Sequence, residues 1–281
     1  MKKIKPDRNS YTENNQKAEM EFQTGFALSG GGMRGFAHLG VAEALAERGI
    51  RPDVIAGVSV GSIVGAFLAA GIEPQQTLEK FKNRNLFKYT TLQLPTNGLL
   101  RLSGLLKIVE QEVPFSNIED LPIPLYIGVT NIKEGGSEYL SKGPLAKSIL
   151  ASSSIPVLFA PVEIEGKLYA DGGVLENIPL KPLAKKCKNL IVVNVSPLQK
   201  DVELKNLIQV VMRVFHLNIN SQTKDVKKHA NLYFEPEELM KYDILNTSHA
   251  DDIFEIGYNS VKKLDNALFD KILEEKPCEE A

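Results

Sequence analysis

Ser59 sits between two glycines in Gly57-Val58-Ser59-Val60-Gly61, a spacing that suits a nucleophile. A serine hydroxyl attacks a carbonyl only when it stands clear of its neighbours and its proton has somewhere to go. A strand turning sharply into a helix does the lifting. The backbone is strained at such a turn, and flanking glycines relieve the crowding around it. DVIAGVS (53–59) reads as the strand and SVGSIVGAFLAAG (59–71) as the helix. The hydroxyl would then lie at the positive end of the helix dipole. Without that context, a glycine-rich turn with a helix-capping serine is the plainer account.

A second glycine cluster, FALSGGGMRGFAHLG (26–40), allows two chemistries. Gly30, Gly32 and Gly35 spell G-x-G-x-x-G between a strand and a helix, which is the dinucleotide-binding spacing. A dinucleotide site also wants an acidic residue at the C-terminal end of the second strand, to hold the ribose. Val58 and Ser59 occupy that end, and Asp53 lies at the other. The alternative is that Gly30 to Gly32 aim N–H groups at the charge that develops when Ser59 attacks a carbonyl. Removing one such donor typically slows a reaction by about 10²–10³. The oxyanion reading is the better supported of the two.

The serine also needs a base. His38 falls inside the first helix, and His216, His229 and His249 lie in the C-terminal third; none occupies a loop beside a plausible strand edge. Helix packing or surface exposure accounts for each of them. Asp171, in YADGGVLENIPL, is the stronger candidate, because it ends a strand and enters the Gly172-Gly173 turn. A plain Asp-Gly turn residue is the competing account.

Short apolar strands alternate with helical stretches from Gly25 onward, the mark of α/β layering. Strands are expected at 25–29, 53–59, 124–132, 136–141 and 189–196, with a hairpin in PVEIEGKLYADGG turned at Glu165-Gly166 and a strand at NLYFEP. Helices are expected over 34–48, with one apolar face made by Ala37, Val41, Ala44 and Leu45, and over GPLAKSILASS. Further helices are expected within 74–113, around a loop at LPTNG, over about 203–220, and from Asp251 to about Glu274. The expected architecture is a three-layer α/β/α domain over 24–281 with a mainly parallel sheet, preceded by a polar tail over 1–23 too hydrophilic to be ordered.

The 281 residues carry a formal net charge of −2, with 43% hydrophobic and 24% charged residues. No basic face is evident that would attract a nucleic acid. Cys187 and Cys278 lie far apart and read as unpaired thiols in a reducing compartment. No signal-peptide core follows the N-terminal lysines, and no apolar run reaches the length of a membrane span. A cytoplasmic location is therefore expected.

GGGMRG, GVSVG and ADGG, in this order and spacing, resemble the glycine-rich loop, nucleophile elbow and catalytic aspartate of patatin-like phospholipases. ASSSIPVLFAPVEIEGKLYADGG matches that family's run from a serine-rich Ile-Pro segment to the aspartate. The resemblance covers about 24 to 260. It implies that Ser59 is the nucleophile and Asp171 its partner in a Ser–Asp dyad. Gly30, Gly31, Gly32 and Arg34 would form the oxyanion and anion-binding loop. Gly57 and Gly61 would frame the elbow, and Gly172 and Gly173 would shape the proton-acceptor turn. The family works without a catalytic histidine and acts on lipid acyl esters. No metal or organic cofactor is expected, since the chain has no H-E-x-x-H or cysteine–histidine cluster. LFKYTTLQLPTNGLLRLSGLL (86–106) pairs apolar residues with Lys88 and Arg101. It is a candidate for covering the site or touching a membrane surface, with packing against the core as the competing account. A catalytically silent lipid-binding protein of the same fold and a nucleotide-binding protein are the alternative functions.

Overall fold

The computed structural model describes residues 20–82, 103–221, 223–244 and 248–273. Most of the expected N-terminal tail, most of the 86–106 segment with Lys88 and Arg101, and Cys278 lie outside the described residues. Among the described residues, eight strands form one sheet: β1 (Phe22–Leu28), β2 (Val54–Val58), β3 (Leu125–Asn131), β4 (Gly136–Leu140), β5 (Val162–Ile164), β6 (Lys167–Asp171), β7 (Cys187–Val193) and β8 (Leu232–Phe234). Its main path runs β5-β6-β3-β2-β1-β7-β8, with β4 on β3. The β1–β2, β1–β7, β2–β3 and β7–β8 pairings are parallel, so the fold is a mixed α/β fold with a mainly parallel centre.

One local feature of this sheet positions the candidate site. β2 pairs with β3 only as far as Val58, opposite Gly128. The other edge of β3 is taken by β4, which pairs from Ile127 to Asn131. β6 pairs antiparallel with β3 from Val129, opposite Asp171, to Asn131. It must therefore use the edge that β2 has just left. Where β2 turns out of the sheet at Ser59, β6 enters the vacated slot from the opposite direction and ends at Asp171. The β5–β6 hairpin turns at Glu165 and Gly166, with φ of 50° and 78°, the left-handed pair that a tight two-residue hairpin needs.

The two faces of the sheet are unequal. Phe26, Leu28, Ile55, Ile127, Ile191 and Val193 point into a large core. That core is roofed by α1 (Phe36–Ala46), α2 (Val60–Ala69), α3 (Pro74–Lys82), α4 (Ser103–Glu112), α5 (Leu145–Ser152), α8 (Ala250–Lys262) and α9 (Asn266–Leu273). Each large side chain buried there contributes about 1.5–3 kcal/mol. The opposite face carries Ala27, Val54, Ala56, Leu190 and Val192, covered thinly by Ile178 and Leu183 and flanked by Val226 of α7 (Thr223–Val226). The buried, unpaired Cys187 belongs to that side.

Three helices differ from the sequence expectation, each for a local reason. The first begins as a 3-10 turn at Gly32–Gly35 and becomes α-helical only at Phe36. Nine of the 11 residues of α1 are buried, so it has no single apolar face. On its far side α8 crosses so closely that a Cβ on Gly40 would strike the Phe254 carbonyl, and one on Gly257 the Ala37 carbonyl. The helix expected from Glu203 begins at Leu207 as α6 (Leu207–Ser221), because Asn206 Oδ1 accepts from the Gln209 N–H at 2.9 Å and caps it there. The expected C-terminal helix is broken in two. α8 stops at Lys262, and Asp265 Oδ1 accepts from the Ala267 N–H at 3.0 Å, capping α9 as a separate helix.

Candidate active site

Ser59 has φ 53° and ψ −124°, a left-handed conformation that costs a non-glycine residue about 1–3 kcal/mol. Its neighbours hold it there. The Ser59 N–H donates to Ser152 Oγ at 2.9 Å, and Ser152 Oγ donates to the Gly128 carbonyl at 2.6 Å. Ser152 thus bridges the gap where β2 parts from β3. The Ser62 hydroxyl donates to the Ser59 carbonyl at 2.6 Å. A Cβ on Gly61 would collide with the Leu28 carbonyl, and one on Gly57 with the Gly61 carbonyl. Only bare backbone lets the turn close this tightly.

Asp171 arrives at the same place from β6. Its N–H donates to the Ser154 carbonyl at 2.9 Å, and Thr130 Oγ1 donates to its carbonyl at 2.9 Å. The carboxyl is buried. Oδ1 accepts the Gly173 N–H at 2.8 Å, while Oδ2 has no hydrogen-bond partner among the described residues. Burial pushes the carboxyl up to about 7. The Gly173 amide and the nearby Ser59 hydroxyl act in the other direction. Ser59 is close enough to favour the charged form without completing a hydrogen bond of good geometry. Gly172 packs flat on β3, where a Cβ would lie 2.5 Å from the Gly128 carbonyl.

The glycine loop faces both groups. The Gly30 carbonyl accepts from Ser196 Oγ at 2.8 Å, Ser29 Oγ at 3.0 Å and Asn177 Nδ2 at 3.4 Å. In a planar trans peptide the next N–H points the opposite way. The Gly31 amide is thereby turned away from these three donors, and it has no acceptor among the described residues. Gly30, Gly31, Gly32, Arg34, Ser59 and Asp171 line one cavity of about 400 Å³. Arg34 is fixed by main-chain carbonyls: Nε donates to Tyr242 at 2.9 Å and Nη2 to Met240 at 3.3 Å. Its Nη1 is buried without a partner among the described residues, and burial lowers the proton affinity of the guanidinium.

The histidines divide. His38 is fully buried in α1, with Nε2 2.9 Å from the Ser29 carbonyl and Nδ1 unpartnered among the described residues. Burial pushes it down to about 4, so it is neutral near pH 7, and it does not line the cavity. His216 is different from the expectation: its helix, α6, forms a wall of the cavity, and the ring lies on that wall. Sequence reasoning also assigned nothing to Asn177, Ser196 or Ser152, which hold the glycine loop and the turn. Asn177 was visible in the quoted YADGGVLENIPL run, and Ser152 in ASSSIP, but no spacing rule gave either a role.

In chemical terms, the arrangement offers a hydroxyl on a strained turn, a carboxyl of near-neutral proton affinity with one oxygen free, and an unsatisfied amide, all on one cavity. Such a set suits acyl transfer.

Comparison with known proteins agrees with this geometry at the level of fold and family. The patatin-like phospholipase family model matches residues 26–184. An uncharacterized NTE family protein of Mycobacterium tuberculosis is 39% identical over 160 residues, covering 56% of this chain and 44% of that protein. A lysophospholipase NTE1 of Scheffersomyces stipitis is 26% identical over 296 residues, covering 94% of this chain and 19% of its own length. The chain therefore spans less than half the length of these curated relatives. Among solved structures, VipD from Legionella pneumophila has a TM-score of 0.50 at 15% identity, covering 89% of this chain and 67% of VipD, a likeness of fold alone. The family match runs from β1 through the elbow and past the Asp171 turn, over more than half of the sequence, and the chain belongs to the patatin-like phospholipase family.

Proposed function

We propose that the protein is a serine acyl hydrolase that cleaves lipid acyl esters, with Ser59 as nucleophile and Asp171 as general base. The observation that carries this reading is the meeting of β2 and β6 in one slot of the sheet, which brings the strained serine and the buried carboxyl onto one cavity. An ordinary carboxylate is a poor base for a serine hydroxyl. One pushed up to about 7 is far better matched, and still half ionised near neutral pH.

Ser59 Oγ attacks the ester carbonyl as its proton passes to Asp171. The Gly31 amide, with its neighbours in the Gly30–Gly32 loop, stabilises the oxyanion. Asp171 then protonates the departing alcohol; water, deprotonated by the same carboxylate, attacks the acyl-serine, and Asp171 returns that proton to Ser59 Oγ as the free acid leaves. Arg34, anchored behind the loop, keeps the local field positive where negative charge develops. No helix among the described residues is long and apolar enough to cross a membrane. Contact with lipid on this reading is peripheral.

The test is labelling with a fluorophosphonate, which reacts only with an activated serine. We expect one labelled peptide, containing Ser59, with labelling and ester hydrolysis both lost in Ser59→Ala. A folded protein that binds lipid but resists the probe would instead be the catalytically silent member of the fold.

A further inference from the structure

We propose that Ser196, together with Ser29 and Asn177, polarises the Gly30–Gly31 peptide and so sets the strength of the Gly31 amide as an oxyanion donor. On the acyl-hydrolase reading, on which this rests, the three are positioning residues. Each acts through one peptide group rather than on the ester itself.

A carbonyl oxygen has two lone pairs, and one good donor satisfies it. The Gly30 oxygen meets three: Ser196 Oγ at 2.8 Å, Ser29 Oγ at 3.0 Å and Asn177 Nδ2 at 3.4 Å. All three side chains are buried, none more than 3% exposed, so water competes little for these bonds. Donors on a carbonyl draw electron density toward its oxygen. Peptide resonance passes the loss to the nitrogen of the same unit, and its N–H becomes a stronger donor. That N–H belongs to Gly31, and it has no acceptor among the described residues. A Cβ on Gly30 would lie 3.2 Å from Ser59 Cβ, so the polarised peptide stands beside the nucleophile.

The three donors come from separate parts of the chain, and each is held in turn. Ser29 Oγ accepts the Val195 N–H at 2.9 Å, which leaves its one hydrogen for the Gly30 carbonyl. The Ser196 N–H donates to Asn194 Oδ1 at 3.0 Å, and Asn194 Nδ2 donates to Glu235 Oε1 at 2.8 Å. The Asn177 carbonyl accepts the Gly30 N–H at 3.3 Å, so this residue grips the loop by both main-chain groups of Gly30. Its Oδ1 fills the space where a Cβ on Gly30 or Gly173 would fall, 2.5 and 3.0 Å away, which ties the loop to the Asp171 turn. Ser196 lies beyond residue 184, outside the residues that the family model matches. The donor strength of the loop is therefore set partly by a residue that none of the three glycine motifs contains.

A residue that only holds the loop's shape affects every ligand of the cavity alike. One that tunes the amide affects only ligands that develop an oxyanion. The experiment compares an alkyl trifluoromethyl ketone with the matching trifluoromethyl carbinol in equilibrium binding to the full chain. With the ketone, Ser59 Oγ bonds to the carbonyl carbon, the carbonyl π pair moves onto oxygen, and the serine proton goes to Asp171. The carbinol fills the same place and forms no bond. Ser196→Ala should weaken the ketone by about tenfold or more and leave the carbinol's affinity unchanged. Ser196→Thr retains a hydroxyl and should keep most of the ketone affinity. Ser29→Ala should act in the same sense as Ser196→Ala, and it carries the comparison should Ser196→Ala fail to fold by circular dichroism. In ester hydrolysis, Ser196→Ala should lower kcat with KM unchanged. By nuclear magnetic resonance, the Gly31 amide proton should move downfield between the carbinol complex and the ketone adduct, and Ser196→Ala should shrink that displacement.

Equal weakening of ketone and carbinol in the alanine variants would make these residues anchors of shape alone and overturns the proposal. So does a ketone affinity that neither variant changes. A wild-type protein that binds the carbinol yet forms no adduct removes the hydrolase reading and the proposal together, whereas a reactive wild type with unaffected variants removes the proposal alone.

Discussion

His38 and Asp171 are both buried titratable side chains in the site's neighbourhood, and each has one polar atom without a partner among the described residues. Burial removes charge from both, lowering the imidazole to about 4 and raising the carboxyl to about 7. They diverge in what lies on the far side. The His38 ring is walled in between α1 and the Ser29 carbonyl, whereas Asp171 borders the cavity beside a strained serine. Burial by itself therefore identifies neither a base nor a structural residue. On the proposed reading, the opening onto a cavity that Ser59 also lines makes the distinction.

The largest effect expected from that distinction is on turnover. Asp171→Asn keeps the shape of the side chain and cannot take the serine proton. We expect ester hydrolysis to fall by about 10⁴ or more, nearly as far as in Ser59→Ala, since members of a catalytic unit do not contribute additively. Circular dichroism on each variant separates lost chemistry from unfolding. A folded His38→Gln protein that is equally dead, beside an active Asp171→Asn, would reverse the comparison.

Next in size is the glycine loop. A methyl on Gly31 meets Val195 Cγ2 at 2.6 Å and Ser196 Oγ at 2.9 Å, the same serine that holds the Gly30 carbonyl. Gly31→Ala should turn the amide away from the oxyanion and slow hydrolysis by about 10²–10³. Unchanged turnover would assign the loop to something else.

The pH profile comes third. If ionised Asp171 is the base, kcat/KM should rise through an apparent pKa of about 7 and fall roughly tenfold per unit below it. A limb near the ordinary carboxylate value of 3.8 would contradict the burial argument.

The smallest effect is on stability, and it sharpens the comparison most. Native Asp171 keeps its proton up to about 7, while the unfolded chain releases it near 3.8, so its burial costs progressively more stability as pH rises between those values. Native His38 refuses its proton down to about 4, while the unfolded chain accepts one near 6.5, so its burial costs more as pH falls through that window. The two slopes oppose each other, each at most about 1.4 kcal/mol per pH unit. Relative to wild type, Asp171→Asn should gain stability from pH 4 to 7, and His38→Gln should lose it over nearly the same range. Denaturant titrations at several pH values would check both, and parallel curves would mean that the buried groups are less isolated than the geometry implies.

The parts of the site that were legible in the sequence are those built from local backbone devices. Gly57 and Gly61 around Ser59, the Gly30–Gly32 run, and the Asp171-Gly172 turn all mark places where the chain bends or approaches itself closely. Such marks survive in one dimension. The illegible parts come from pairing and docking over long distances. That β6 takes the edge vacated by β2 depends on β4 holding the other edge of β3, which no residue of β6 encodes. His216 and Arg213 reach the cavity only because α6 packs against the turn after Asp171. Asn177 and Ser196 hold the Gly30 carbonyl across 147 and 166 positions of sequence. The break at Asp265 was hidden by continuous helical periodicity on either side of a single capping residue.

The clasp of α1 by α8 also carries a consequence for synthesis. Glu47, just past α1, and Tyr258 on α8 are joined by a hydrogen bond that spans 211 positions, and reciprocal glycines bring the two helices into backbone contact. A ribosome adding about 5–20 residues per second needs roughly 10–40 s to make the intervening chain. Throughout that interval α1, apolar on nearly every side, lacks the surface that covers it. A nascent chain halted after residue 184, where the family match ends, should therefore recruit a hydrophobic-binding chaperone, and one carrying α8 free of the ribosome should release it. The residues that the family model matches end well before the protein can finish folding.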